Sequence, residues 1–228
     1  MKKISIIIPI KNEVKSLNVL LNEIKEVTST ELINEIIIVD GNSTDGSLDV
    51  AKKYGCKIII QKDVLGYGAA IVEGIKNSNS YYSVILDGDG SKNPIYIKTL
   101  FKSIENNNDD FIFASRYGTN CGSSDDTILT HFGNRIFTII GKIFFNIKIN
   151  DILHTFFICK NEKFNEIKFK YHEFSFCAEL PIVISKLEIP HSQIPTHERK
   201  RIADEVKVNS FIDGYKILLS MIKMFFKI

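Results

Sequence analysis

The chain has 228 residues, 44% of them hydrophobic and 25% charged, which is typical of a globular protein with a substantial core and excludes general disorder. Its formal charge of +2 is too small to indicate nucleic-acid binding, so we expect no nucleic-acid partner. The four cysteines form no Cys-x-x-Cys pair, which argues against zinc and favours reduced thiols in a cytosolic protein. No apolar run reaches about 18 residues, so we expect no membrane-spanning helix.

Strands and helices alternate along the first half of the chain. Runs rich in β-branched residues predict strands over 3–10, 36–39, 57–60 and 82–86, and apolar residues at helical spacing lie between them. Polar turns, most of them containing glycine, follow the strands. This alternation predicts an α/β protein with a Rossmann-like, mostly parallel central sheet flanked by helices.

The fourth predicted strand ends in two carboxylates, Asp87 and Asp89, separated by Gly88. Such a pair at the carboxyl edge of a buried strand is suited to a hard divalent cation and the phosphates it carries. The alternative is an acidic surface turn. Because Pro9 and Asp40 end two other predicted strands of the same sheet, one shared pocket is the favoured interpretation.

The middle of the chain is less regular. A strand is predicted over 111–114, and the small polar residues 118–126 predict a mobile loop. Residues 132–147 form a helix that is apolar nearly all round, which indicates burial or contact with lipid. A further strand is expected within 151–160.

The last quarter contains two predicted helices and a polar cluster. The first helix, 174–186, carries Glu179 and is expected to be interrupted near Pro181. Residues 189–208 hold a dense polar cluster, and one interpretation of its part 197–201 is a solvated surface turn. We predict one domain over 1–208 and an amphipathic helix over 209–228, which lies on a membrane surface or docks on the core.

Several motifs resemble those of the family 2 glycosyltransferases of GT-A fold, especially polyprenyl-phosphate sugar synthases similar to dolichyl-phosphate mannose synthase. Singly each motif is weak, but their order and spacing from residue 4 to about 117 are specific. They are IIIPIKNE (6–13), IIVDGNSTDGS (37–47), GYGAA (66–70), DGDG (87–90) and ASRY (114–117).

The second half resembles the lipid-phosphate branch of this family more loosely. DILHTF (151–156) lies where that branch has Asp-x-x-Ser-Gly-Phe, and RIADEVK (201–207) lies where it has Arg-x-x-Gly-x-Ser-Lys. The chain departs from these patterns at His154, Thr155, Asp204 and Val206. These departures leave the sugar and the acceptor open.

The resemblance implies a nucleotide-diphosphate sugar donor held at the strand ends, with Mg²⁺ or Mn²⁺ bound by Asp89. Asp87 would lie nearer the ribose or share the metal. Other members have Gln where this chain has Ser91, a weaker metal ligand. An alternative for Asp40 is a helix-capping or Asx-turn role. The implied nucleotide-sugar-binding residues are Pro9, Asn12, Glu13, Asp40, Asp87 and Gly88.

A lipid monophosphate acceptor is already anionic near neutral pH and needs positive charge rather than a general base. The motif positions imply Arg116, Arg201 and Lys207 as its ligands, and Arg135 is added because it lies one turn after His131 on the apolar helix. With Asp89, the first three form the expected catalytic set. A hydroxyl acceptor would instead need a base, for which Glu179 is a candidate, while His131 and His154 are expected to be structural.

These features together predict an inverting glycosyltransferase that acts on a polyprenyl phosphate while peripherally bound to the cytoplasmic face of the cell membrane. One alternative is an enzyme acting on a saccharide or protein hydroxyl in cell-envelope synthesis. Another is a catalytically silent subunit that binds nucleotide sugars. Ser91, His154 and Val206 are the residues that favour the silent subunit.

Overall fold

The computed structural model describes residues 2–28, 31–203 and 210–227. Lys207, predicted as a phosphate ligand, lies outside these described residues, and its role stays a prediction. The part of the surrounding motif from residue 204 onwards also lies outside them.

Within the described ranges, seven strands form one sheet in the order β3-β2-β1-β4-β7-β5-β8, and two short strands, β6 and β9, pair separately. All neighbours in the large sheet are parallel except β7, which runs antiparallel to both β4 and β5. The mostly parallel sheet predicted from the sequence is therefore confirmed. The strands are β1 (Ile4–Ile10), β2 (Ile33–Asp40), β3 (Lys57–Ile60), β4 (Tyr82–Ile85), β5 (Phe111–Ser115), β6 (Gly122–Ser123), β7 (Phe157–Lys160), β8 (His191–Pro195) and β9 (His197–Glu198).

Helices cover both faces of the sheet, as expected when parallel strands are joined by crossover connections. A single 3₁₀ turn, Pro94–Tyr96, precedes the fourth helix. The helices are α1 (Val14–Val27), α2 (Ser47–Lys53), α3 (Tyr67–Lys76), α4 (Ile97–Asn106), α5 (Ile128–Phe145), α6 (Asn161–Glu166), α7 (Ser175–Lys186) and α8 (Ser210–Phe226).

The sheet separates two hydrophobic cores. Side chains alternate along β1, so Ile7 packs on one face while Ile6 and Ile8 pack on the other. Helices α1, α2 and α4 cover the Ile6 face, and the other five helices contribute side chains to the Ile7 face. On the Ile7 face α3 approaches the sheet closely, because a Cβ added at Gly74 would lie 2.3 Å from Cγ2 of Ile7.

Three local predictions differ from the structure. Helix α7 continues through Pro181 instead of breaking there. The segment 118–126, predicted as a loop, contains β6, which pairs with β9. Strand β8 lies inside the polar cluster 189–208 and was missed, because its sequence HSQIP has little apolar alternation and is stabilised by pairing with β5.

Candidate active site

The carboxyl ends of β1, β2 and β4 meet at one edge of the sheet, beside a cavity of about 800 Å³. Such an edge is where open α/β sheets bind ligands. The cavity brings together most of the predicted site residues. Those that line it are Pro9, Glu13, Asp87, Gly88, Asp89, Arg116 and Arg201.

The turn after β4 fits tightly against the end of β1. A Cβ at Gly88 would lie 2.7 Å from Cγ2 of Ile10 and 3.2 Å from Cγ of Glu13, so glycine lets the two segments touch. The backbone N–H of Ile202 donates to the carbonyl of Asp89 at 2.9 Å. The turn is thereby held between the first strand and the polar segment that carries Arg201.

Asp89 is a largely buried carboxylate facing the cavity. Its Oδ1 accepts a hydrogen bond from the Ser91 N–H at 2.9 Å, and its Oδ2 lies 3.9 Å from Nη1 of Arg201. Burial, together with the neighbouring negative charge of Asp87, raises the pKa of Asp89. A cation between these carboxylates would relieve both effects.

The residues present are suited to a divalent cation. Mg²⁺ commonly binds through one or two carboxylates, with waters and substrate phosphates completing its shell. No group of three or more His, Cys, Asp or Glu side chains placed to hold a metal occurs in the described part of the chain. The two aspartates therefore fit a cation that arrives with a phosphate ligand, rather than a closed protein site.

Arg116 is held by carboxylates on several sides. Its Nε and Nη2 bind the two oxygens of Asp151 at 2.7 and 3.0 Å, and its Nη1 donates to Oε2 of Glu198 at 3.1 Å. Asp126 lies 3.7 Å from Nη1. Because its Nε, Nη1 and Nη2 donors are bound to carboxylates, Arg116 orients Asp151 and Glu198.

Arg201 is more open to the cavity. It forms an ion pair with Asp125 and, at 3.9 Å, faces Asp89. Its side chain is 21% exposed, against 9% for Arg116. Of these two predicted phosphate ligands, Arg201 has the geometry better suited to an incoming anion.

The cavity is acidic overall. Among the described residues that line it, eight are acidic and three, Lys11, Arg116 and Arg201, are basic. Glu198 is one of the acidic residues, and burial raises the pKa of its carboxyl although Arg116 opposes the effect. Sequence reasoning missed Glu198, since its position depends on the pairing of β9 with β6.

Two predicted ligands, Asn12 and Arg135, are not among the described residues that line the cavity. Asn12 ties two loops together, accepting from the Thr44 N–H at 2.8 Å. Arg135 stacks over the ring of Tyr117, 5.8 Å from its centroid. Their ligand roles remain predictions without support from this geometry.

Asp40 and Glu179 are both buried. Oδ2 of Asp40 accepts from the Ser43 N–H at 3.0 Å, which is the predicted Asx-type alternative, while its Oδ1 has no hydrogen-bond partner among the described residues. Glu179 accepts from the backbone N–H groups of Lys170 and Tyr171 and caps that segment. It is not among the described cavity-lining residues, so it is unsuited to be a base there.

Two neighbouring helices carry an exposed apolar surface at the mouth of the cavity. Helix α8 docks through Ile217 and Met221, and its Phe225 ring lies 5.4 Å from that of Phe144 on α5. Fifteen large apolar side chains of the two helices are 37–81% exposed. This apolar surface consists of Ile128, Leu129, Phe132, Ile136, Ile139, Ile143, Phe144, Phe211, Ile212, Tyr215, Leu218, Leu219, Ile222, Phe225 and Phe226.

The apolar surface adjoins the acidic end of the cavity directly. Leu129 and Phe137 of α5 and Phe211 and Ile217 of α8 line the same cavity as Asp89. Among the described residues, no helix combines the length and apolar character needed to cross a bilayer.

The sheet order, the acidic turn after β4 and the cavity beyond the strand ends define a GT-A fold. The family model for glycosyl transferase family 2 matches residues 5–168, and the chain belongs to that family.

The names of two curated relatives specify different acceptors. A cholesterol galactosyltransferase of Borreliella burgdorferi is 30% identical over 120 residues, covering 50% of this chain and 33% of that protein. A dolichol-phosphate mannosyltransferase of Mycosarcoma maydis is 29% identical over 132 residues, covering 54% and 45%. The chain thus spans less than half the length of either relative.

Solved structures confirm the fold. Glucosyl-3-phosphoglycerate synthase of Mycobacterium tuberculosis, in complex with Mn²⁺, UDP and glucosyl-3-phosphoglycerate, superposes with a TM-score of 0.76 at 13% identity, covering 98% of this chain and 80% of that one. The same enzyme with Mg²⁺ and UDP gives a TM-score of 0.75.

Proposed function

We propose that this protein is an inverting glycosyltransferase that moves a sugar from a nucleotide-diphosphate sugar to a lipid acceptor at the cytoplasmic face of a membrane, with polyprenyl phosphate as the acceptor. The observation that carries the proposal is the shared cavity. Its acidic end lies beside the strand ends and carries Glu13, Asp87 and Asp89, and side chains of α5 and α8, two helices with exposed apolar residues, also line it.

The acidic end would hold the donor. Pro9, Glu13 and Gly88 line the part of the cavity beside β1, where a nucleotide would lie at the strand ends. Asp89, with Asp87 beside it, would hold Mg²⁺ or Mn²⁺ against the diphosphate. When bound, the cation supplies positive charge that neutralises the departing nucleoside diphosphate.

The apolar surface would bind the membrane in which the lipid acceptor is embedded. Fifteen large apolar side chains on two adjacent helices exceed what the outside of a soluble domain normally exposes. Lys142, Lys216 and Lys223 on the same helices are exposed, and each lysine near an anionic leaflet adds about 1 kcal/mol of attraction. A lipid whose tail stays in the bilayer could then present its head group to the cavity.

For a phosphate acceptor, Arg201 is the cation best placed to receive the incoming anion. The acceptor oxygen attacks the anomeric carbon on the face opposite the diphosphate, the bond to the diphosphate breaks, and the configuration inverts. Because the attacking phosphate is already largely anionic, no protein base is required. Arg116 would act through the carboxylates that it orients.

A second candidate acceptor, a lipid hydroxyl, is favoured by Glu198. This carboxylate lines the cavity, is buried, and has a raised pKa, all of which suit a general base. Because acidic residues outnumber basic ones in the cavity, a second anion should bind there less favourably than a neutral alcohol. A cholesterol galactosyltransferase stands among the relatives, beside the dolichol-phosphate enzyme.

The two acceptors can be separated by one variant. Vesicles containing either polyprenyl phosphate or a sterol are incubated with the protein, Mn²⁺ and labelled nucleotide sugars, and Glu198→Gln is compared with the unsubstituted protein. For the phosphate acceptor we expect transfer to polyprenyl phosphate that survives Glu198→Gln within about tenfold. Transfer to the sterol alone, lost by about a hundredfold or more in Glu198→Gln, would replace polyprenyl phosphate with the hydroxyl acceptor.

A further inference from the structure

A buried lysine, Lys92, lies directly behind the acidic turn. Its side chain is 1% exposed, and its Nζ contacts three oxygens: Oδ1 of Asp87 at 2.8 Å, Oγ1 of Thr155 at 3.0 Å and the hydroxyl of Tyr67 at 3.2 Å. An ammonium group has three donors, so this arrangement satisfies all of them. A buried charge of this kind is stable only when it is paired and hydrogen-bonded, as it is here.

The same contacts occupy one oxygen of Asp87. Its Oδ1 accepts from Lys92 and also from the Tyr67 hydroxyl, at 2.6 Å. Thr155, which stands where the related lipid-phosphate enzymes have glycine, supplies the third oxygen around the ammonium. The departure at position 155 is therefore explained by contact with Lys92 and Tyr67.

Asp89 has different partners from Asp87. Among the contacts of the described residues, its carboxylate receives the Ser91 N–H and faces Arg201, and no lysine bonds to it. Asp87, Asp89, Tyr67 and Thr155 line the cavity, whereas Lys92 is not among its described lining residues. Lys92 would thus influence a ligand through Asp87 rather than by touching it.

We propose that Lys92 is a positioning residue: a fixed internal cation that holds one oxygen of Asp87 and cancels its charge, leaving Asp89 as the main carboxylate ligand for the divalent cation. The inference rests on the proposed metal-dependent donor site, and it adds that the cation and the nucleotide diphosphate depend on each other for firm binding. A site with one available carboxylate binds a divalent cation weakly, so the cation binds firmly only when the nucleotide diphosphate adds its own oxygens.

Removal of the lysine charge should therefore strengthen metal binding without nucleotide. In Lys92→Gln, Asp87 would lose its counter-ion, and both carboxylates could attract a cation within a partly buried cavity, where that attraction is stronger than in water. The double variant Asp87→Asn/Lys92→Gln removes both members of the pair and restores the charge of the unsubstituted site. Because no unpaired charge is buried in it, the double variant also tests the inference if Lys92→Gln fails to fold.

The experiment measures Mn²⁺ dissociation constants by the electron paramagnetic resonance signal of free Mn²⁺, with and without UDP or GDP. Lys163→Gln is the matched control, because Lys163 is an exposed lysine paired with Glu166. Without nucleotide we expect Lys92→Gln to bind Mn²⁺ at least about tenfold more tightly than the unsubstituted protein. The double variant and Lys163→Gln should remain within about threefold of it.

Two results would overturn the inference. One is an Mn²⁺ affinity in Lys92→Gln equal to that of the unsubstituted protein, and the other is a loss of about tenfold or more in the double variant, which would show that Asp87 ligates the metal in the native site. Failure of the proposed function looks different. In that case the unsubstituted protein would bind no Mn²⁺ even with UDP or GDP present.

Discussion

Arg116 and Arg201 come from two motifs that the sequence connects with phosphate binding, yet their surroundings differ. Arg116 lies among Asp126, Asp151 and Glu198, whereas Arg201 shares its charge between Asp125 and the partly exposed Asp89. Arg201 also makes a bidentate pair, from Nε and Nη2 to the two oxygens of Asp125, but its side chain is 21% exposed against 9% for Arg116. The motifs predict both arginines as phosphate ligands, and their different surroundings are the reason for proposing different roles.

The first prediction concerns Arg201. Arg201→Ala should lower kcat/KM with polyprenyl phosphate by about tenfold to a hundredfold, because a charge-assisted hydrogen bond of about 1.5–3 kcal/mol is lost. Lys200→Ala is the control, since Lys200 is exposed on the same segment. Steady-state kinetics within twofold of the unsubstituted protein would assign Arg201 to the solvated turn instead. Lys207→Ala has the same expected effect from the motif alone.

The second prediction concerns the pH dependence of stability. Burial, with the nearby charges of Arg116 and Lys92, lowers the pKa of His154 well below its usual range. The unfolded chain takes up a proton at this histidine near pH 6.5, but the folded protein does not. The free energy of unfolding should therefore fall as pH drops below about 6.5, by about 1.4 kcal/mol per pH unit from this residue.

Urea unfolding between pH 7.5 and 5.5 tests this effect. His154→Ser, which restores the residue of the related lipid-phosphate enzymes, should remove that part of the slope. His131→Ser is the control, because it removes a histidine that is 49% exposed. An identical slope in His154→Ser and the unsubstituted protein would contradict the assignment.

At the level of elements, helix α8 docks on the core with one face and exposes the other. Ile217 and Met221 pack in the core, and Nζ of Lys186 on α7 donates to the Met224 carbonyl at 2.9 Å. The opposite face, with Tyr215 and Phe226, is exposed. Truncation after residue 208 would remove both faces, so substitutions on the exposed face give the clearer test.

The third prediction therefore concerns Tyr215, Ile222 and Phe226, which are exposed and do not belong to the cavity lining. Their combined replacement by serine should release the protein from anionic vesicles and depress transfer to long polyprenyl phosphate embedded in them. Transfer to a short, water-soluble analogue should be retained, because the cavity is unchanged. Co-sedimentation and product yield provide the two readouts.

The matched control for this experiment is Met221→Ala on the docked face. It should lower the free energy of unfolding by about 2–5 kcal/mol and leave vesicle binding of the folded protein unchanged. Vesicle binding that persists in the serine variant would mean that this face of α8 does not contact the membrane.

At the level of the whole molecule, the sequence predicts the sheet well where elements are determined locally. The β-branched run of β1 and the strand β3 are recognisable by composition, and β3 has the predicted bounds. The acidic turn is found because strand ends of a parallel sheet meet at one edge. The strands thus depend on neighbours along the chain, and the site at their ends follows from the regular geometry of a parallel sheet.

What the sequence does not predict depends on long-range pairing. Strand β7 enters the sheet antiparallel between β4 and β5, and no local pattern specifies that position. In the sequence Lys92 is a charged residue next to an acidic turn, and its burial depends on contact with Thr155, which is distant along the chain. Glu198 reaches the cavity only through the pairing of β9 with β6.

The most direct test of the central claim is sugar transfer itself, with its requirement for Asp89 and a divalent cation. The protein is incubated with Mn²⁺, a panel of UDP- and GDP-sugars and a short polyprenyl phosphate, and lipid-linked product is measured by mass. We expect product from one donor, abolished by excess chelator and reduced by about a hundredfold or more in Asp89→Asn, which keeps the size of the side chain. Donor binding without product from any donor would instead indicate the silent subunit, and equal product in chelator and in Asp89→Asn would contradict the metal site.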